Sequence, residues 1–177
     1  RDRLRSRGLG DVYKRQDEFA IKTLREYDGK KFLNIRTDEI DLSTDEQKKA
    51  LAEENEAAAD LFAAMKEALG EKVHAVRFTD KLKSHPVCLS TEGGLSMEME
   101  QTLNAMPGRE NRFKADVVLE LNPDHPVMAK LKEYAVTDKE KLADYAKLLY
   151  AEGCLIGGVP IEEPAELCRL ITGLMEQ

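Results

Sequence analysis

Catalysis and metal binding both need titratable side chains that converge, and this chain has few to offer. Its histidines are His74, His85 and His125; its cysteines are Cys88, Cys154 and Cys168. No histidine stands at metal-ligand spacing from another His or Cys, and no CxxC pair opens a zinc or redox site. Asp124-His125 juxtaposes a carboxylate and an imidazole. Neighbours in sequence rarely face each other, however, and Asp124 is better placed to cap a helix. Glu92-Gly93-Gly94 lacks the G-x-x-x-x-G-K-[ST] pattern of a phosphate loop, and no G-x-G-x-x-G occurs. Paired carboxylates such as Glu53-Glu54 and Glu162-Glu163 suit solvated helix faces and helix N-termini. The sequence therefore predicts no catalytic, cofactor-binding or metal-binding residue, and a segment that is not itself an enzyme. A hydrolase or thiol enzyme built on Cys88 or His85 would need a deep pocket with a carboxylate alongside, at which nothing in the sequence hints.

Two segments look built for contact instead. Leu95, Met99, Leu103 and Met106 fall at i, i+4, i+8 and i+11, which places them on one helix face, with Glu98, Glu100 and Gln101 off it. Met97 adds another thioether nearby. Unbranched, polarizable methionine side chains repack around different partners, so such a face suits promiscuous binding. It equally suits covering a sheet, and both uses stay open. Gly93-Gly94 and Pro107-Gly108 flank the helix and would let it swing.

The second segment is the last forty residues. Leu142, Tyr145, Leu148, Leu149, Leu155 and Ile156 recur at helical spacing after a Thr137–Glu140 capping box, and Gly157-Gly158 ends the run. Pro164 suits the first turn of a further helix, on which Leu167, Leu170, Ile171, Leu174 and Met175 make the stripe. Two such helices and a short turn form a hairpin with more apolar surface than a small core requires. A four-helix bundle across a dimer axis hides it, which makes those residues, Met175 apart, the predicted dimer interface.

The elements that position these segments follow from patterning. Ser43 and Glu46 form a capping box, and a charged, Ala-rich helix runs from there to Leu69, closed by Gly70. Strands are expected at Val73–Thr79, Pro86–Ser90 and Phe113–Leu121, the last with Val117, Leu119 and Leu121 on one face. A short helix spans Leu95–Met106, and another follows Asn122-Pro123-Asp124 to about Ala135. The order α-β-β-α-β-α-α-α describes an α+β fold: a small three-stranded sheet, flanking helices and the terminal hairpin. Upstream, Phe19, Ile21 and Leu24 start a helical pattern that breaks at Asp28-Gly29, and a short strand over Lys31–Ile35 follows. Residues 17–42 look like the end of a preceding domain.

Charge bounds the partners. The 177-residue chain carries a net −7, with 34% charged residues. Residues 1–16 hold six Lys/Arg against two Asp/Glu, so the rest carries −11. That basic stretch has no periodicity and resembles a translated adapter more than a folded piece. An anionic body disfavours nucleic acid. No apolar run approaches the roughly 20 residues of a membrane span, and the charged start lacks a signal-peptide core. Three scattered cysteines among apolar residues read as buried small hydrophobes in a reducing cytoplasm.

Four segments in order carry a resemblance: DEFAIKTLREYDGKKF (17–32), CLSTEGGLSMEMEQTLNAM (88–106), LELNPDHPVMAKL (119–131) and YAKLLYAEGCLIGGVPIEEPAELCRLITGLM (145–175). Together they resemble the C-terminal part of the heat shock protein 90 chaperone family, its bacterial type best. The resemblance implies that residues 17–42 end a middle domain and that 43–177 form a C-terminal dimerisation domain. It implies a cytoplasmic stress-response parent that is an ATP-dependent clamp for unfolded client proteins, with ATP and magnesium held and ATP hydrolysed upstream. The segment itself would keep homodimerisation and part of the client surface. Client contact would fall on Leu95, Met99, Leu103 and Met106. The ending ITGLMEQ lacks the acidic M-E-E-V-D tail, so docking of tetratricopeptide co-chaperones is not implied, and residues 1–16 match no family segment. A purely structural dimerisation module, its short helix permanently packed, is the rival reading.

Overall fold

Strands and helices alternate along the computed structural model, in which residues 20, 23–32, 45–93, 95–105 and 113–176 are described. The chain divides at Ile40/Asp41 into two units. In the first, strands β1 (Glu26–Tyr27) and β2 (Lys30–Lys31) pair antiparallel around Asp28-Gly29. Asp28 and Gly29 have φ of 50° and 71°, the left-handed pair that a tight two-residue hairpin demands. The turn expected at Asp28-Gly29 is therefore present, but the strand after it lies at Lys30–Lys31. Residues 33–40 and 1–16 lie outside the described residues.

The second unit opens with α1 (Asp45–Ala57) and α2 (Ala59–Leu69). These replace the single helix expected as far as Leu69. Ala58 departs from helical geometry at φ −98° and ψ 9°, although its N–H still bonds Glu54 and its carbonyl still accepts from Phe62. Ser43, proposed as a cap, lies outside the described residues. A 3₁₀ turn at Gly70–Lys72 leads to β3 (Ala75–Phe78), then β4 (Val87–Glu92), α3 (Met97–Asn104), β5 (Asp116–Leu121), α4 (Val127–Thr137), α5 (Lys139–Gly157) and α6 (Pro164–Met175). The α+β class holds, and so does the expected order of elements apart from the division of the first helix into two.

The sheet is mixed, in the order β3-β5-β4, with β3 parallel and β4 antiparallel to β5. β5 is central because DVVLEL tolerates burial on both sides; Val118, Leu119 and Leu121 are fully buried. Period-2 alternation puts Val76, Phe78, Val87, Val117, Leu119 and Leu121 on one face. That face meets α2, α4 and α5, whose Leu61, Met65, Leu69, Met128, Leu131, Leu142, Ala146 and Leu149 complete a single core. α5 runs so close to β4 that a Cβ at Gly153 would stand 2.9 Å from Leu89 Cγ, so any side chain there forces Leu89 to shift. The edge strand β3 is partly closed by α1, where Asn55 Oδ1 accepts from the Phe78 N–H at 2.8 Å.

Local signals differ from expectation at three points. Thr137 does not cap α5: its hydroxyl donates back to the Glu133 carbonyl of α4, and Asp138 caps instead, its carboxylate accepting from the Lys141 N–H at 3.0 Å. Asp124 does not cap α4. Asn122 Oδ1 accepts from the Asp124 N–H in a local turn, and His125 Nδ1 accepts from the Val127 N–H. β5 begins at Asp116 rather than Phe113, opposite Glu92 at the end of β4. Gly70, Gly158 and Pro164 act as expected. Gly158 ends α5 in the left-handed region at φ 68°, and Pro164 stands in the first turn of α6.

Candidate functional site

Two candidate surfaces flank one cleft. Its volume is about 910 Å³, and it is walled by the end of α2, by α3, the start of β5, α5 and α6. Its floor is apolar, with Leu69, Met97, Val117, Ala151 and Leu170. Charges of both signs rim it: Lys72 pairs with Glu163 at 3.1 Å, Lys114 with Glu71 at 3.2 Å, and Lys147 with Glu166 at 3.8 Å.

On one side lies α3. Eight residues are too few to hold a helix alone, so α3 relies on its ends and its docking. Ser96 caps it, the hydroxyl accepting from the Met99 N–H at 3.2 Å, and the Thr102 hydroxyl donates to the Glu98 carbonyl. Docking runs through Met97, Glu100 and Asn104, at i, i+3 and i+7. Met97 is buried; Glu100 Oε2 accepts from the Ala115 N–H at 2.9 Å. Asn104 donates to the Phe113 carbonyl and accepts from the Phe113 N–H, both at 2.8 Å. These bonds engage the N–H and C=O of Phe113 and the N–H of Ala115 in the lead-in to β5, whose ladder starts at Asp116 opposite Glu92, the last residue of β4. Met99 and Leu103 sit roughly a third of a turn around the helix from that docking row. Both are half-buried, and neither lines the cleft. Leu95, expected on the same helix face, instead precedes the Ser96 cap and packs, half-buried, against the core, so it is not part of the edge that Met99 and Leu103 form. Met106 lies outside the described residues.

On the other side lies the hairpin of α5 and α6, and its ten predicted interface residues divide. Leu142 and Leu149 belong to the chain's own core. Tyr145 sets its ring 5.3 Å from that of Tyr134 on α4. Leu170 is buried, and Leu148 and Leu167 are half-buried. Leu155, Ile156, Ile171 and Leu174 stay 63, 47, 40 and 38% exposed, joined by Met175 at 79%. α6 thus leaves an apolar flank in water after meeting α5.

Sequence reading missed a third constellation, on the sheet face away from the core. Glu120 of β5 is only 2% exposed, and its Oε1 accepts from Arg77 Nε and Nη2 at 3.2 and 2.7 Å. Arg77 also reaches Glu92 at 2.9 Å, and the Cys88 thiol donates to Glu120 Oε2 at 3.6 Å. Burial first, then the Glu120 charge and hydrogen bond, push that thiol up to about 12, so at neutral pH it is no nucleophile. Only the β register reveals this cluster, because Arg77, Cys88 and Glu120 stand directly across three strands. The three cysteines, all expected to be buried, differ: Cys154 is buried and Cys88 intermediate, but Cys168 is exposed, because its apolar neighbours on α6 belong to a helix that one chain covers only in part. Among the described residues, no helix is long and apolar enough to cross a membrane.

Comparison with known proteins agrees with this architecture. The model of the Hsp90 protein family matches residues 2–177. Chaperone protein HtpG of Bacillus subtilis (strain 168) is 45% identical over 159 residues, 90% of this chain and 25% of that protein. HtpG of Bacillus velezensis is 47% identical and that of Clostridium perfringens 44%, each over 160 residues and the same shares. The chain spans about a quarter of the length of these relatives. With most of its residues matched and identity near one half, this chain belongs to the Hsp90 protein family of chaperones.

Proposed function

We propose that this chain serves as the C-terminal part of an ATP-dependent chaperone. Two copies pair through the α5–α6 hairpin, and each offers α3 to unfolded client polypeptides. The observation that carries the reading is the exposed apolar flank of the hairpin, Leu155, Ile156, Ile171 and Leu174. Each large aliphatic side chain gains about 1.5–3 kcal/mol on full burial, so a second copy of the same flank is a favourable cover. ATP and magnesium would be bound and turned over by parts upstream of this segment, in a cytoplasmic parent, and the segment would carry no catalytic step of its own.

The client role rests on the division of faces on α3. The row Met97, Glu100, Asn104 holds the helix to its subunit, which leaves Met99 and Leu103 as a separate adaptable edge. Substituting Met99→Ser together with Leu103→Ser is expected to weaken capture of a reduced, carboxymethylated polypeptide several-fold while the melting temperature holds. Unchanged capture, or a molten domain, would favour the purely structural module. The packing of Leu95 against the core is the observation on that rival's side.

A further inference from the structure

We infer that Glu100 and Asn104 are positioning residues, a two-point clip that fixes α3 against the lead-in to β5 and so presents its methionine edge. The inference rests on the client reading of α3 and goes beyond it, because neither residue belongs to the apolar stripe.

The three backbone groups that the clip engages are the N–H and C=O of Phe113 and the N–H of Ala115. In extended chain these point the same way, as the groups of an edge strand do. Asn104 exchanges two bonds with Phe113, as a paired strand residue would, and Glu100 takes the next N–H along. A helix has its own backbone bonds satisfied and cannot pair with a strand edge, so side chains one turn apart stand in for the missing strand. Ala115 is 4% exposed, which makes Glu100 the stronger half of the clip: without it a buried donor faces no water. Asn104 and Phe113 lie nearer solvent, and their bonds count for less.

The clip also connects α3 to the centre of the sheet. The Val117 N–H bonds the Ala115 carbonyl at 3.0 Å, so the clipped segment turns directly into the central strand. Met97 is the remaining anchor, buried beside the cleft. This apolar plug and the two polar ties together hold α3 to the sheet. Losing a tie loosens the helix while leaving the core among α2, α4, α5 and the sheet in place.

The test is amide hydrogen exchange and polypeptide capture on the 177-residue chain carrying Glu100→Ala, Glu100→Gln or Asn104→Ala, with the Met99→Ser/Leu103→Ser pair alongside. Glu100→Ala should speed exchange within residues 99–104 at least about fivefold, the low end for a buried N–H stripped of its acceptor. Exchange in β5 and α5 should not change, and capture of the carboxymethylated polypeptide should weaken. Glu100→Gln keeps an acceptor oxygen and should restore both readouts; Asn104→Ala should give a smaller version of the alanine phenotype. Equal exchange in wild type and Glu100→Ala, or a glutamine variant no better than alanine, would overturn the clip. Altered α3 exchange with capture untouched by both Glu100→Ala and the Met99/Leu103 pair would leave the clip standing and remove the client reading instead.

Discussion

Glu120 is a tightly held side chain. A carboxylate on the central strand, 2% exposed, is tolerable only because Arg77 reaches it through two guanidinium nitrogens while its own other end meets solvent and Glu92. Removing one member of a buried pair costs about 3–5 kcal/mol, and the one-third exposure of Arg77 argues for the low end. Arg77→Ala should therefore lower the urea midpoint strongly, and Glu92→Ala, at an exposed carboxylate, should scarcely move it. Cys88 shares this cluster and gives a pH signature. Its folded value is raised from 9.0 to about 12, so the folded chain holds the thiol proton more tightly than the unfolded chain does. The resulting stability is whole below pH 9 and is lost as pH climbs toward 12. Thermal melts of Cys88→Ala should accordingly show a shallower alkaline decline than wild type. None of this was legible beforehand. Arg77, Cys88 and Glu120 are far apart in sequence, and an alternating strand with a glutamate on it reads as a solvated face until the register is known.

At the scale of elements the sequence was more informative, because helix and strand periods are local. Val117, Leu119 and Leu121 were placed on one face from alternation alone, and that face is the core. Gly70, Gly158 and Pro164 ended and began helices as their backbone chemistry requires. Caps were less legible, since a serine, threonine or aspartate on either side of a helix start competes for the same N–H. The T-x-x-E pattern points to Thr137, yet its neighbour Asp138 holds the position. Asp138→Ala should cost about 1 kcal/mol in denaturant unfolding. Thr137→Ala should cost clearly less, because the threonine hydroxyl only back-bonds to Glu133. The reverse ranking would return the cap to Thr137. α3 shows the other limit. Met99 and Leu103 of its expected stripe lie on the helix, but Leu95 precedes the Ser96 cap, and the polar row that docks the helix was not visible, because Glu100 and Asn104 look like solvent-facing residues until the backbone beside them is known.

For the whole molecule, the decisive property is apolar surface that a single chain leaves in water. The hairpin stripe read from sequence mixed two kinds of residue. Leu142 and Leu149 close the core against the sheet, whereas Leu155, Ile156, Ile171 and Leu174 remain in water. Helical periodicity reports that a side is apolar, not which partner covers it, so the two kinds could not be separated beforehand. The distinction sets the right variants. Leu149→Glu would drive a charge into the core and unfold the subunit, which says nothing about pairing. Leu155→Glu with Ile171→Glu places charges only where side chains are already exposed, so the subunit should fold as before.

Analytical ultracentrifugation of the wild-type chain beside the Leu155→Glu/Ile171→Glu variant, at micromolar concentration, bears most directly on pairing through the hairpin. The wild type should sediment as a dimer, at twice the 19.9 kDa chain mass, and the variant as a monomer with an unaltered circular dichroism spectrum. A monomeric wild type, or a variant that stays dimeric with its fold intact, would contradict it.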